Sequence, residues 1–211
     1  MKITIIYDNE VWQSGLRSDW GFSCLVEING RTILFDTGAS GGILLGNMGE
    51  LGIDPHTIDE VFISHAHFDH TGGLTDFLNV HPCRVFIPFS CSAPAGLGEI
   101  IKVKTHLEIY EGVFSTGELS GIEQSLVMDI GSGFVVLAGC SHPGVKNILD
   151  AASAHGSVKA LIGGLHGFNE FDLIEGLEMI CPTHCTQYKR EIKSLYPGTY
   201  VEGGAGRIIE I

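Results

Sequence analysis

Residues 64–73 read Ser-His-Ala-His-Phe-Asp-His-Thr-Gly-Gly and place four metal-binding side chains, His65, His67, Asp69 and His70, within six positions. In extended backbone, side chains two apart point the same way, so His65 and His67 can meet one ion. Asp69 and His70 follow where the chain turns toward a helix, and can reach a second ion beside the first. Imidazole nitrogen and carboxylate oxygen together suit zinc, with manganese or iron as alternatives. The competing reading, surface histidines with Asp69 as a helix cap, makes four donors at this spacing a coincidence. Such a cluster points to hydrolysis, because a bound Zn²⁺ lowers the pKa of its water to roughly 7 and supplies a nucleophile at neutral pH.

Three later histidines sit where short apolar runs end: His142 in Gly139-Cys140-Ser141-His142-Pro143-Gly144, His166 in Gly163-Gly164-Leu165-His166-Gly167, and His184 in Pro182-Thr183-His184-Cys185-Thr186. Flanking glycines let the backbone turn sharply and expose a side chain. Asp36-Thr37-Gly38 closes an earlier run. His56, His81, His106 and His155 lie in polar or loop contexts and read as surface residues. Cys181, His184 and Cys185 put three donors in five residues, but a closed structural zinc site needs a fourth. Cys185 reads better as a small buried hydrophobe beside a ligand, and Cys140 as core or pocket wall.

HxHxDH after an apolar strand resembles the metallo-β-lactamase superfamily, and Asp36-Thr37-Gly38 matches that family's first motif. The resemblance implies an α+β fold, a four-layer αββα sandwich of two mixed sheets with flanking helices. It implies that His65, His67 and His142 hold one ion, and that Asp69, His70 and His184 hold another. Asp69 would also steer the attacking water. Asp36 would orient metal-site groups from behind, and His166 would contact substrate or line the pocket. The ordered series Asp8-Asn9, Trp20-Gly21-Phe22-Ser23, Leu34 to Gly38, Gly139 to His142, Gly163 to His166 and His184 to Thr186 is narrower. It resembles the dihydropterin-ribofuranosylaminobenzene-phosphate synthase-like hydrolases, whose archaeal members are linked to methanopterin synthesis.

One departure stands out. The wider superfamily supplies a downstream Gly-Asp whose carboxylate bridges two metals, and no such Asp occurs here. Asp129 precedes a strand, and Asp150 and Asp172 fall in expected helices. The site then holds one tight and one weak ion, or His142 takes the carboxylate's place. The expected activity is a metal-activated hydroxide attacking a small-molecule ester. That substrate is a phosphate ester or phosphodiester, pterin-related in one version, or else a carboxylic ester or lactone. The rival readings are a non-hydrolytic di-iron redox or sensor protein and a metal-binding domain without catalysis.

The bulk composition agrees. The chain has 211 residues, 44 % hydrophobic and 18 % charged, with 29 glycines, which suits one strand-rich domain spanning 1–211. A formal charge of −13 repels phosphate backbones, so the expected partner is a small molecule rather than nucleic acid. No run of 18 apolar residues exists to span a membrane. The start turns polar too early for a signal peptide, and six cysteines without a CxxC pair read as reduced thiols, so the expected location is cytoplasmic.

The elements that must position these groups can be read from period and punctuation. Strands are expected at 2–7, 22–28, 31–36, 60–64, 84–88, 99–103, 107–110, 122–129, 133–139, 158–162, 199–202 and 206–210, with a short one running into Cys181-Pro182-Thr183-His184. Asn29-Gly30 signals a hairpin turn. Helices are expected at 42–51, 74–78, 144–154 with Pro143 in its first turn, 172–180 and 187–195. Residues 89–98 read as an apolar loop able to cover the site or form an interface.

Overall fold

The computed structural model describes residues 1–92 and 96–211, so the tip of the expected 89–98 loop lies outside the described residues. The strands are β1 (Lys2–Tyr7), β2 (Ser23–Ile28), β3 (Arg31–Phe35), β4 (Glu60–Phe62), β5 (Arg84–Pro88), β6 (Glu99–Val103), β7 (Thr105–Tyr110), β8 (Val113–Gly117), β9 (Leu126–Asp129), β10 (Phe134–Ala138), β11 (Val158–Gly164), β12 (Met179–Thr183) and β13 (Ile208–Glu210). They form two sheets, ordered β13-β1-β2-β3-β4-β5-β6 and β12-β11-β10-β9-β8-β7. Both are mixed. The pairs from β13 to β3 are antiparallel and those from β3 to β6 parallel. In the second sheet β7 to β10 pair antiparallel, and β10 to β12 parallel.

The β2–β3 hairpin turns on Asn29 (φ 50°) and Gly30 (φ 74°), the left-handed pair that matches the twist of the flanking strands. Parallel neighbours need a crossover, and helices supply it. Helix α1 (Gly41–Glu50) joins β3 to β4, α2 (Phe68–Thr71) and α3 (Leu74–Val80) join β4 to β5, and α4 (Val145–Ser153) joins β10 to β11. Helix α5 (Lys189–Leu195) follows β12.

Burial on both faces explains why the central strands are continuously apolar rather than alternating. In β10, Val135 and Leu137 enter the core between the sheets, while Val136 and Ala138 face the outer helices. In β3, Ile33 and Phe35 point inward and Leu34 outward. Phe35 stacks on Phe62 of β4 at 5.6 Å within that inner core. Full burial of such a side chain contributes about 1.5–3 kcal/mol. Leu44, Met48, Phe77 and Leu78 of α1 and α3 cover one outer face, and Val145, Ile148, Ala152 and Ile192 of α4 and α5 cover the other. The result is the αββα sandwich. Among the described residues, no helix is long and apolar enough to cross a membrane.

Four local expectations need correction. The helix at 172–180 is a single 3₁₀ turn, Phe171–Ile174. The chain is recaptured by the sheet soon after, with the Glu178 N–H donating to the Lys159 carbonyl at 2.8 Å, and β12 begins at Met179. The strand at 199–202 amounts to one bridge, Tyr200 to Ile180. Residues 122–125 do not continue the strand: the Ile122 N–H turns back to the Leu119 carbonyl, and Glu123 makes isolated bridges to Leu119 and His65. Strand β8 was hidden by its inward polar residues, where the Ser115 hydroxyl donates to Gln124 Oε1 at 2.7 Å. Pro143 also stands outside α4, which starts at Val145 after Gly144 (φ 92°).

Candidate metal centre

The loops that carry the chemistry leave the carboxyl ends of the strands on one side of the sandwich. Asp8 follows β1, Asp36 follows β3, residues 64–70 follow β4, residues 139–142 follow β10, His166 follows β11 and His184 follows β12. Asp36, Ser141, His166 and His184 all adopt positive φ, between 45° and 60°. Non-glycine residues pay about 1 kcal/mol or more for that conformation, and such strain gathers where a side chain must be aimed.

The aim is inward. His67 Nδ1 lies 3.1 Å from His65 Nε2 and 3.1 Å from His142 Nε2. Beside this trio, Asp69 Oδ2 lies 3.1 Å from His184 Nε2 and 3.8 Å from His70 Nε2. The two trios share His65 and His70 rings only 4.2 Å apart at their centroids. The structure therefore brings together all six expected donors, His65, His67, Asp69, His70, His142 and His184. His166 sits at the edge, half-buried, with its ring 4.6 Å from that of His142. Asp36 is fully buried and lies behind His70, away from the open face.

Hydrogen bonds at the far side of each ring decide which nitrogen is free. His70 Nδ1 meets Asp36 Oδ2 at 2.7 Å. A carboxylate can only accept, so Nδ1 carries the proton and Nε2 is left with a lone pair. The Ser64 hydroxyl donates to Asp36 Oδ2 at 2.7 Å, so its oxygen accepts from His65 Nδ1 at 2.9 Å. Asn9 Oδ1 takes His184 Nδ1 at 3.0 Å, while the Asn9 amide donates to the His184 carbonyl at 3.1 Å. Each of these rings thus points a bare Nε2 at its neighbours. Burial, aided by the surrounding histidines, holds His65 well below the usual imidazole range. Burial and then His166 bring His142 down to about 4, and burial and then His70 bring His184 down to about 3. Burial also opposes charge on His70, but Asp36, then Asp69 and Glu123, outweigh it and raise its pKa.

Facing lone pairs 3 Å apart are unfavourable unless a cation lies between them. Tetrahedral zinc, with Zn–N bonds of about 2.0–2.1 Å, sets its nitrogens roughly 3.3–3.4 Å apart. The residues present fit such an ion: three nitrogens in one group, and two nitrogens with a carboxylate oxygen in the other.

Two groups hold the site from behind, Glu123, which no motif marked, and Asp8, which the Asp8-Asn9 motif marked without a role. Glu123 is fully buried, and its carboxylate accepts four consecutive backbone N–H groups, from Gly139, Cys140 and Ser141 at 3.0 Å each and from His142 at 2.9 Å. Burial pushes its pKa up and the N–H donors push it back. Asp8 Oδ1 accepts the His184 N–H at 3.0 Å, and burial raises that carboxyl to about 6. Gly21 is needed because Asp69 approaches so closely: a Cβ there would stand 2.5 Å from the Asp69 carbonyl. The structural-zinc reading of Cys181, His184 and Cys185 does not hold, because Cys181 belongs to the core between the sheets. His56 and His106 are exposed, and His81 and His155 half-buried. The largest concavity, about 850 Å³, lies at the opposite end of the strands around the Asn29 turn, and brings no such donors together.

The fold and the cluster are similar to those of the metallo-β-lactamase superfamily, whose model matches residues 21–88 of this chain. The chain is also similar to the 7,8-dihydropterin-6-methyl-4-(beta-D-ribofuranosyl)-aminobenzene-5'-phosphate synthase of Methanocaldococcus jannaschii. The two are 28 % identical over 258 residues, covering 89 % of this chain and 88 % of the relative. An uncharacterized protein of the same organism is 27 % identical, covering 99 % of this chain and all of its own. A solved metal-dependent hydrolase of the β-lactamase superfamily, Tm1679, superposes with a TM-score of 0.83 at 29 % identity, covering 100 % of this chain and 99 % of the other.

Asp36→Asn is expected to leave the fold in place and weaken metal binding by about 10–100-fold, because an amide no longer specifies the His70 tautomer. Competition with a chromophoric chelator measures this. Wild-type affinity in the variant would remove Asp36 from the account.

Proposed function

We propose that this chain is a metal-dependent hydrolase of a small phosphate ester or phosphodiester, using two zinc ions, with manganese or iron as the other candidates. The observation that carries this reading is the pair of adjacent donor groups, in which hydrogen bonds behind the His65, His70 and His184 rings leave their Nε2 atoms free. Divalent cations held there would activate water and neutralise charge on a reacting oxygen. The protein does the rest. His65, His67 and His142 form one seat, and Asp69, His70 and His184 the other. Asp69 also places a carboxylate beside the seats, where it can orient a water. His166, on the rim, is placed to touch the substrate or to pass a proton to its leaving group.

The surroundings support a substrate with an organic part. A groove of about 600 Å³ opens beside His184, where Lys189, Arg190 and Lys193 are matched by Glu10, Glu191 and Glu202, with Lys189 paired to Glu10 and Lys193 to Glu202. Trp20 lies over the His184 ring at 4.9 Å and is half exposed, and Phe68 is exposed between two of the ligands. These give apolar surface at the mouth. The phosphate in the archaeal relative's printed name agrees with this substrate class. The alignment to that relative runs over 258 residues against the 211 here, so the relative carries segments this chain lacks.

The test is turnover of bis(p-nitrophenyl) phosphate, p-nitrophenyl phosphate and p-nitrophenyl acetate by the apo and zinc-, manganese- or iron-loaded protein. Metal-dependent cleavage of a phosphate substrate supports the reading, and metal loading without any cleavage counts against it. With an active substrate, Trp20→Ala is expected to raise KM about 5–10-fold with kcat little changed. Aromatic contact of this kind contributes roughly 1–1.5 kcal/mol of binding. A fall in kcat alone would show that Trp20 acts on His184 instead.

A further inference from the structure

We propose that the end of the sandwich opposite the metal centre carries a second binding site, one that takes a free α-amino acid. The site stands independently of the hydrolase reading.

It is a cleft of about 350 Å³, within the range of small-ligand pockets, lined by Arg31, Asp59, Glu60, Arg84, Glu99 and Tyr110. Arg31, Glu60, Arg84 and Glu99 open β3, β4, β5 and β6. The cleft therefore lies at the amino ends of strands whose carboxyl ends lead to Asp36 and residues 64–70. Glu60, Arg84 and Glu99 are register partners on three adjacent strands, and Glu60 is in turn level with Ile33. Ile33, Phe62 and Phe86 belong to the core between the sheets. Side chains two apart on a strand share a face, so the charged row occupies inward-facing positions where the next layer is apolar. Tyr110 closes the cleft from β7 of the other sheet.

The row holds an acceptor without a donor. Glu60 is 2 % exposed; its Oε2 accepts the Tyr110 hydroxyl, and its Oε1 has no partner among the described residues. A buried carboxylate oxygen left unpaired is costly, so this position is completed by a donor from a ligand. The other two carboxylates are committed. Asp59 Oδ2 accepts the Thr32 N–H at 2.8 Å, and its Oδ1 lies 3.5 Å from Arg31. Glu99 Oε2 accepts from Arg84 Nε at 3.2 Å.

The rim supplies the opposite charge. Arg84 spends Nε on Glu99, and among the described residues no carboxylate meets its terminal nitrogens. Arg31 lies over the Tyr110 ring at 4.5 Å, its side chain half exposed. A guanidinium offers a fork of N–H donors that matches a carboxylate. A lone cation entering the cleft meets two arginines, and a lone anion meets three carboxylates. A ligand carrying both charges close together satisfies Glu60 Oε1 with an ammonium N–H and Arg84 with a carboxylate. An α-amino acid is the compact molecule of that kind.

The experiment is isothermal titration calorimetry of the metal-loaded protein with the standard α-amino acids, each in turn. Ammonium chloride and sodium acetate serve as single-charge controls. At least one amino acid is expected to bind at a single equivalent, and neither control to bind at the same concentration. Glu60→Gln keeps the side chain's shape but removes its charge, and Arg84→Ala removes a guanidinium at the rim. Each is expected to weaken binding about 10-fold or more, the weight of a charge-assisted hydrogen bond, with metal content unchanged. Arg84 is partly exposed, so its variant tests the site even if Glu60→Gln fails to fold. Failure of every amino acid to bind wild type would overturn the proposal. So would wild-type affinity in either folded variant, which would place the ligand elsewhere, such as on the metal centre, or acetate binding as tightly as the amino acid.

Discussion

Replacing His67 with alanine is expected to empty the three-histidine seat and to lower turnover by about 10³-fold or more. His67 Nδ1 is the atom common to both short contacts of that seat, 3.1 Å from His65 and 3.1 Å from His142. Two imidazoles alone do not retain the ion, and without it the site loses its source of a nucleophile at neutral pH. A metal in that role supplies several kcal/mol of transition-state stabilisation, and each 1.4 kcal/mol is tenfold in rate. The fold should be unaffected. His67 is exposed and lies outside the apolar clusters, so its truncation opens no cavity. Apo stability should stay within about 0.5 kcal/mol of wild type. Chemical denaturation, metal content and turnover check the three parts separately. A variant that keeps full activity would remove His67 from the site.

The second large effect belongs to Glu123, which touches no candidate metal position. Its four N–H partners are backbone groups and its burial is complete. Glu123→Gln turns one acceptor into a donor facing a donor, and weakens the charge-assisted bonds that remain. A buried donor left without a partner costs about 1–3 kcal/mol. For a chain of this length, that corresponds to a fall in Tm of roughly 2–12 °C. Glu123→Ala orphans all four groups and should cost more than about 4 kcal/mol, at the extreme end of single substitutions. Both variants should also bind metal more weakly, because His142 rides on the loop that Glu123 clamps. Differential scanning calorimetry of the apo proteins, with and without added zinc, separates the two losses. Wild-type Tm in Glu123→Ala would show that the loop holds itself.

What could be read from the amino acids follows from how each residue acts. His65, His67, Asp69 and His70 declare themselves because their chemistry lies in contiguous sequence. His142, His166 and His184 are legible because each ends an apolar run beside glycine or proline, and the fold does place all three at strand ends on one side. Asp36 is legible through its motif. Glu123 is not, and the motif that holds Asn9 gives it no role, because each works across the fold, Glu123 on a loop 16 to 19 residues away and Asn9 on His184 at a separation of 175. No local pattern marks a residue that holds a distant backbone. Cys140 reads as a wall because an isolated buried cysteine ordinarily is one, and its nearness to both donor groups arises only when β4, β10 and β12 meet. Among the elements, the αββα layering followed from apolar strands alternating with helices. The misread segments were those where polar side chains turn inward, as in β8, or where a helical spacing meets a chain too short to use it, as at 172–180.

The central claim is that the histidine and aspartate cluster holds two metal ions. Elemental analysis of the purified chain after reconstitution, with His67→Ala in parallel, tests it most directly. The account predicts two equivalents of zinc, manganese or iron in wild type, and loss of at least one in the variant. Wild type that retains no transition metal after careful reconstitution would contradict it.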